Sequence, residues 1–405
     1  MNKKLCILIS ILLLFCFVIL MWFCNTFTCR MNGISRIHSF NNVRVAQKYI
    51  KKISDENYYS ISYFDDAVFS WSTEISQYYN MNNFRYYNAF VFWALLKTGY
   101  DQKLPQAFYD DIFTADGVVN IERNPDNNSV SGELDTIFVY YPLYDLPSKK
   151  KYSIAIEKAY KDLSSQDILK NLAGNYVHKQ NNDNWGMYKF CLDGLFMALP
   201  FYFKHDGNES DIFSRMNWVS EKMRLENGLY SHGAQSDGTP NKVVWLRGAG
   251  WYAMAQIELL SMIKNKIYKN IMQKQLTQFF DGMLKYQDLK TGMWRNIVYP
   301  KVNKCNYFES SGTLMMAYSL LSAYDKGYVK DKKYLNAGLR AYNGVMDNNF
   351  INRDGGKLTN IYLSSNVKEN AQEYCKCDLY VNDEAKGFAS LILATDAVNK
   401  VLKNK

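Results

Sequence analysis

A recurring helix start restricts the fold of this chain more than any other feature. It reads Asp193-Gly194-Leu195-Phe196-Met197, then Ala249-Gly250-Trp251-Tyr252-Ala253-Met254, then Ser311-Gly312-Thr313-Leu314-Met315-Met316, and more faintly Lys386-Gly387-Phe388-Ala389-Ser390. The glycines stand 56, 62 and 75 residues apart. A period of that size holds two helices with their connections, and such a unit buries its apolar faces only against its neighbours. The nearly all-apolar segments, such as those following Gly194 and Gly312, belong on the inside. The Lys- and Asp-bearing segments between them, such as Ser210 to Lys222 and Lys330 to Tyr342, belong on the outside. Helical periodicity runs through nearly the whole chain, for example over Leu134 to Leu146 and Gly250 to Ile263, and strand-like alternation is scarce. The expected fold is all-α, a closed (α/α)6 barrel of six helical hairpins. Inner helices running parallel would bring Asp193, the Trp245 to Trp251 loop, Glu309-Ser310-Ser311 and Asn382-Asp383 to one mouth. Helix N-termini gathered there favour an anionic ligand.

The chain opens with Lys3 and Lys4 and an uncharged apolar run from Leu5 to Cys24, about the 20 residues that a membrane helix needs. No A-x-A pattern follows it. Residues 1–30 therefore read as an uncleaved signal anchor, with a cleaved signal peptide as the alternative. The positive-inside rule then places residues 31–405, one large domain, outside the cytoplasm in the cell envelope. The eight cysteines do not form a framework, and a pairing of Cys305 with Cys375 or Cys377 stays open. His38, His178, His205 and His232 are dispersed, with no Cys or His pair at zinc spacing, so no metal site is expected. The net charge of +9 is spread along the chain and makes no case for nucleic acid. No glycine-rich loop joins a strand to a helix, so no nucleotide or other cofactor is expected.

Trp245, Arg247 and Trp251, with Gly248 and Gly250 between them, form a compact recognition stretch. Indole faces suit sugar rings and a guanidinium suits a carboxylate, which points to an acidic sugar. The competing reading makes both tryptophans core and Arg247 a helix cap. Tyr86, Tyr87 and Trp93 read as core. Asp193, just before Gly194, is equally suited to cap a helix.

The segment Trp245-x-Arg247-Gly248-x-Gly250-Trp251-Tyr252-Ala253-Met254 resembles the W-x-R-G-x-G-W-Y-A-M signature of unsaturated uronyl hydrolases, glycoside hydrolase families 88 and 105. Leu192-Asp193-Gly194, Leu134-Asp135, Leu229 to His232, Glu309 to Thr313 and Asn382 to Gly387 resemble other segments of that family in order. The resemblance implies an (α/α)6 barrel that hydrates the C4=C5 double bond of a 4,5-unsaturated uronic acid at the non-reducing end of lyase-made oligosaccharides. It implies Asp193 as the acid, Asp135 as the second carboxylate, and Trp245, Arg247, Trp251 and His232 as substrate-binding residues. The chain departs from the pattern at Trp185 to Lys189, where the family's His is missing and Lys189 replaces a Gln. Two other readings remain: a different (α/α)6 glycosidase or lyase acting on uronate-containing polymer, and an inactive membrane-anchored glycan-binding module.

Overall fold

The computed structural model describes residues 37–52, 85–119, 133–178, 187–302, 305–352, 356–375 and 380–403. The apolar run Leu5–Cys24, Trp185-Gly186 and Cys377 lie outside them. Among the described residues no helix is long and apolar enough to cross a membrane.

Six inner helices alternate with six outer ones among these residues. The inner set is α2 (Tyr86–Thr98), α4 (Leu134–Phe138), α6 (Asp193–Asp206), α8 (Leu246–Met262), α10 (Ser310–Asp325) and α13 (Ala385–Lys403). The outer set is α1 (37–52), α3 (Lys103–Ile112), α5 (Ser153–Ser164), α7 (Glu209–Lys222), α9 (Lys266–Leu284) and α11 (Lys332–Asn348). A short helix, α12 (Ala371–Cys375), sits in the last long connection. Each inner helix packs on the next, and α13 returns to α2, so the ring closes. The outer layer closes as well: Asn42 of α1 donates to Asn343 of α11 at 3.0 Å. This is the (α/α)6 barrel expected from the repeat.

Sequence explains which helix goes where. Inner α10, which carries no charged residue before Asp325, is buried on all sides from Ser310 to Ala323. Outer α11 buries only a stripe, including Leu335, Gly338, Tyr342 and Val345, and turns its lysines outward. Asn208, Asn265 and Asp331 cap outer helices with side-chain oxygens that accept backbone N–H groups at their starts. The recurrent glycines mark close approach between inner helices. A Cβ at Gly250 would lie 2.9 Å from Cβ of Met315 on α10, and one at Gly312 would lie 2.6 Å from Leu246 on α8. A Cβ at Gly194 would meet Leu134 of α4 at 2.9 Å.

Two expectations need correcting. The stretch Leu134 to Leu146 is not one helix: α4 ends at Phe138, and a separate 3-10 turn covers Tyr141–Tyr144. Pro142 has no N–H to donate and disfavours helical backbone at Tyr141. Helix α3 tolerates Pro105 because it falls in the first turn, where backbone N–H groups lack helical partners anyway. Helix α8 begins at Leu246 rather than Gly250, so Arg247 belongs to its first turn and not to a loop.

Short antiparallel ribbons sit ahead of the inner helices. Strands β1 (Tyr188–Cys191) and β2 (Gly233–Gln235) pair with Cys191 opposite Gly233. Strands β3 (Val244–Trp245) and β4 (Ile297–Tyr299) pair, as do β5 (Ile361–Tyr362) and β6 (Tyr380–Val381). They feed α6, α8 and α13 and set where those helices start.

Candidate active site

The β1–β2 ribbon places Asp193 beside His232. Leu192 N–H donates to the His232 carbonyl at 2.9 Å, and Asp193 follows as the first residue of α6. Two glycines make room: a Cβ at Gly233 would lie 2.5 Å from Val367, and one at Gly248 would lie 2.8 Å from the His232 ring. Across the ring His232 Nε2 lies 3.1 Å from Asp193 Oδ2, and its Nδ1 lies 2.6 Å from Tyr374 Oη.

A second pair mirrors the first. His178 Nε2 is 3.3 Å from Asp135 Oδ1 at the start of α4. Burial opposes a proton on His178, yet the ring is held well above the usual histidine range by negative charge at Cys191 and Asp135. Burial also pushes the Cys191 thiol up. The Asp135 carboxylate, 3.3 Å away, favours the proton on His178.

Both carboxylates face one cleft, lined by Tyr86, Asp135, His178, Asp193, Met197, Trp245, Arg247, Ser364, Ser365 and Asn366. Trp245 forms a wall of it: its ring centroid is 4.7 Å from that of His232, and its indole N–H donates to Asn296 at 2.8 Å. Arg247 reaches the cleft, but its guanidinium is already engaged. It donates to the carbonyls of Tyr362 and Leu363 and to Ser311 Oγ, and it lies 4.0 Å from Glu309. Arg247 thereby clamps the segment that delivers Ser364, Ser365 and Asn366. Glu309 caps α10 and also accepts the Tyr362 N–H at 3.1 Å.

Of the sequence-predicted residues, the structure brings Asp193, Asp135, Trp245 and Arg247 to the cleft, with His232 directly behind Asp193. Trp251 is not among the lining residues. It packs between Phe90 and Phe196 at 4.8 and 5.2 Å inside the barrel. Five residues into α8, it lies roughly 7 Å below the helix start, at 1.5 Å per residue. Tyr86, read as core, lines the cleft instead. His178, Tyr374 and Ser364 to Asn366 escaped the sequence reading. His178 had a signal in being one of only four histidines, whereas Tyr374 had none among 32 tyrosines.

Donor atoms of Cys191, Asp193 and His232 lie within 4.8 Å of one another, so a metal ion could be held there only if the His232–Asp193 hydrogen bond gave way. Cys191 is a free, buried thiol. Cys305 is disulfide-bonded to a partner whose side chain lies outside those described.

A ring of six helical hairpins whose mouth offers two histidine-paired carboxylates beside an indole defines the class, an (α/α)6 enzyme suited to sugar chemistry. Residues 60–402 match the family model described as Glycosyl Hydrolase Family 88, and the chain belongs to that family. It is 25% identical over 225 residues to the 24.9 kDa protein in the picA locus of Rhizobium radiobacter, an alignment covering 49% of this chain and 96% of that one. Among solved structures, the family 105 glycoside hydrolase of C. acetobutylicum superposes with a TM-score of 0.69 at 22% identity, over 80% of this chain and 96% of its own. The unsaturated glucuronyl hydrolase of Bacillus sp. GL1 superposes with a TM-score of 0.60 at 12% identity, over 89% and 96%.

Proposed function

We propose that the protein removes a 4,5-unsaturated uronic acid from the non-reducing end of lyase-generated oligosaccharides by hydrating the C4=C5 vinyl ether. The observation that carries this reading is the cleft in which Asp193 and Asp135 each bear on a histidine beside Trp245. Family membership adds support, as does the similarity to a solved unsaturated glucuronyl hydrolase.

In this scheme the Asp193 carboxylic acid gives its proton to C4, and the electron pair of the double bond forms the new C–H bond. Positive charge develops at C5 and the ring oxygen. Water adds at C5 and loses a proton to the Asp193 carboxylate, which restores the acid. The resulting hemiketal opens the ring, and the exposed C1 hemiacetal releases the remaining oligosaccharide as its alcohol. Asp135, tied to protonated His178, acts as the second carboxylate and holds substrate or water. Trp245 faces the sugar ring. The polar groups of Ser364, Ser365 and Asn366 meet its hydroxyls or its carboxylate. Residues 1–30, by their composition, hold this domain in the cell envelope, which membrane fractionation of the full chain tests.

The decisive experiment mixes the protein with unsaturated galacturonide and glucuronide oligomers and follows the ultraviolet absorbance of the C4=C5 bond. Loss of absorbance is expected with wild type. A folded Asp193→Asn variant should be slower by about 10²–10⁴, the contribution of a placed general acid. Wild type that consumes no unsaturated oligomer but cuts saturated polymer would replace this reading with another glycosidase activity.

A further inference from the structure

We propose that Tyr374 is a positioning residue that locks His232 in its Nε2–H tautomer and thereby holds the Asp193 carboxyl in one orientation. The inference rests on Asp193 being the acid of the proposed reaction. It follows from counting donors and acceptors around one phenol.

The count starts at Asn241, whose amide orientation is set by its neighbours. Its Oδ1 faces the backbone N–H groups of Gly233 and Val243 at 3.4 and 3.3 Å, so it is the acceptor. Its Nδ2 faces the Lys368 carbonyl at 2.9 Å and Tyr374 Oη at 3.1 Å, so it donates to both. Lys368 N–H also donates to Tyr374 Oη, at 3.2 Å. A phenol oxygen has two acceptor sites and one O–H donor. With both acceptor sites taken, the O–H goes to the remaining neighbour, His232 Nδ1, at 2.6 Å. Burial pushes the Tyr374 phenol above its ordinary range, so that O–H is retained.

Nδ1 of His232 is therefore the acceptor, and the ring proton sits on Nε2, which donates to Asp193 Oδ2 at 3.1 Å. Tyr374 and His232 are 0% and 1% exposed, so bulk water does not offer either ring an alternative partner. Oδ2 is occupied by the imidazole N–H, leaving Oδ1 to carry the proton that moves. Tyr374 does not line the cleft. It acts through His232, from a small apolar cluster of Val243, Trp245, Ile297, Tyr362 and Ala371 that seats α12.

The test is nuclear magnetic resonance of the full chain carrying 15N-labelled histidine, with the His232 signals assigned by their loss in His232→Gln. Wild type should show a protonated Nε2 and a bare Nδ1 at His232. A protonated Nδ1 there would overturn the proposal, with no variant needed. Tyr374→Phe should show both tautomers, and its kcat should fall at least about 10-fold, part of the ~10²–10⁴ that a placed acid contributes, while KM stays within about twofold. A Tyr374→Phe protein that keeps the pure Nε2–H tautomer and full kcat would also overturn it. The tautomer spectrum needs no turnover. Wild type inactive on every unsaturated oligomer would therefore count against the proposed function, while the spectrum decides the role of Tyr374 separately.

Discussion

Trp245 and Trp251 flank Arg247 in one short stretch, yet they have different environments. Trp245 walls the cleft and Trp251 fills the barrel between Phe90 and Phe196. Trp251→Ala should destabilise the fold by about 3–5 kcal/mol through a cavity in the core, read as a lower urea midpoint. Trp245→Phe, which leaves the buried Asn296 Oδ1 without its donor, should lower that midpoint by a smaller amount, about 1–3 kcal/mol, and raise KM. Equal loss of stability in both would show that the two indoles share one role. Arg247→Lys removes the fork that holds the carbonyls of Tyr362 and Leu363. Lysine cannot span both, and buried acceptors left without donors cost about 1–3 kcal/mol. The variant should unfold at lower urea and lose substrate affinity as Ser364 to Asn366 drift. His178 gives a pH prediction. Its folded-state pKa is raised, so its contribution to stability is complete below the unfolded value of about 6.5 and is lost as pH rises through the folded value. Unfolding free energy should therefore decline from about pH 6.5 upward, and His178→Gln should flatten that decline in urea titrations across pH.

At the scale of elements, the repeated Gly at the inner helix starts is a packing device. Gly312→Ala would press a methyl group against Leu246 and the Arg247 backbone N at 2.6 and 3.1 Å. Overpacking of this kind costs about 1–3 kcal/mol, so the melting temperature should fall. An unchanged melting temperature would mean that α8 and α10 can separate freely. These glycines were legible in the sequence because a repeat shows itself as spacing. The apolar and striped helices were legible too, since burial on every side and burial on one side leave different periodicities. The break after Phe138 was missed because apolar content continues through Leu146 while Pro142 interrupts the backbone. Asp193, the proposed acid, and His232, which the structure sets beside it, both lie in local motifs, Leu192-Asp193-Gly194 and the segment Leu229 to His232. The long connection carrying Ser364 to Asn366 and α12 has no periodicity, so its place over the mouth left no trace in the pattern.

Taken whole, the molecule is a closed ring in which α13 touches both α10 and α2. A chain ending before Ala385 would leave those two inner helices with apolar faces in water and should fail to show the cooperative transition expected of the full chain, followed by circular dichroism. Retained cooperative unfolding in the shortened chain would show that ring closure is dispensable. By itself the sequence determined the alternation of buried and striped helices, four of the inner helix starts and, at the mouth, Asp135, Asp193, Trp245 and Arg247. These follow from hydrophobic period and from motifs a few residues long. Only the tertiary structure decided that His178, far from Asp135 in sequence, is its partner, that Arg247 serves the backbone of a distant segment, and that Tyr374 stands behind His232. Those pairings join residues 43, 115 and 142 positions apart, and a contact across such separations depends on how successive helical units and their connections pack, which local propensity does not encode.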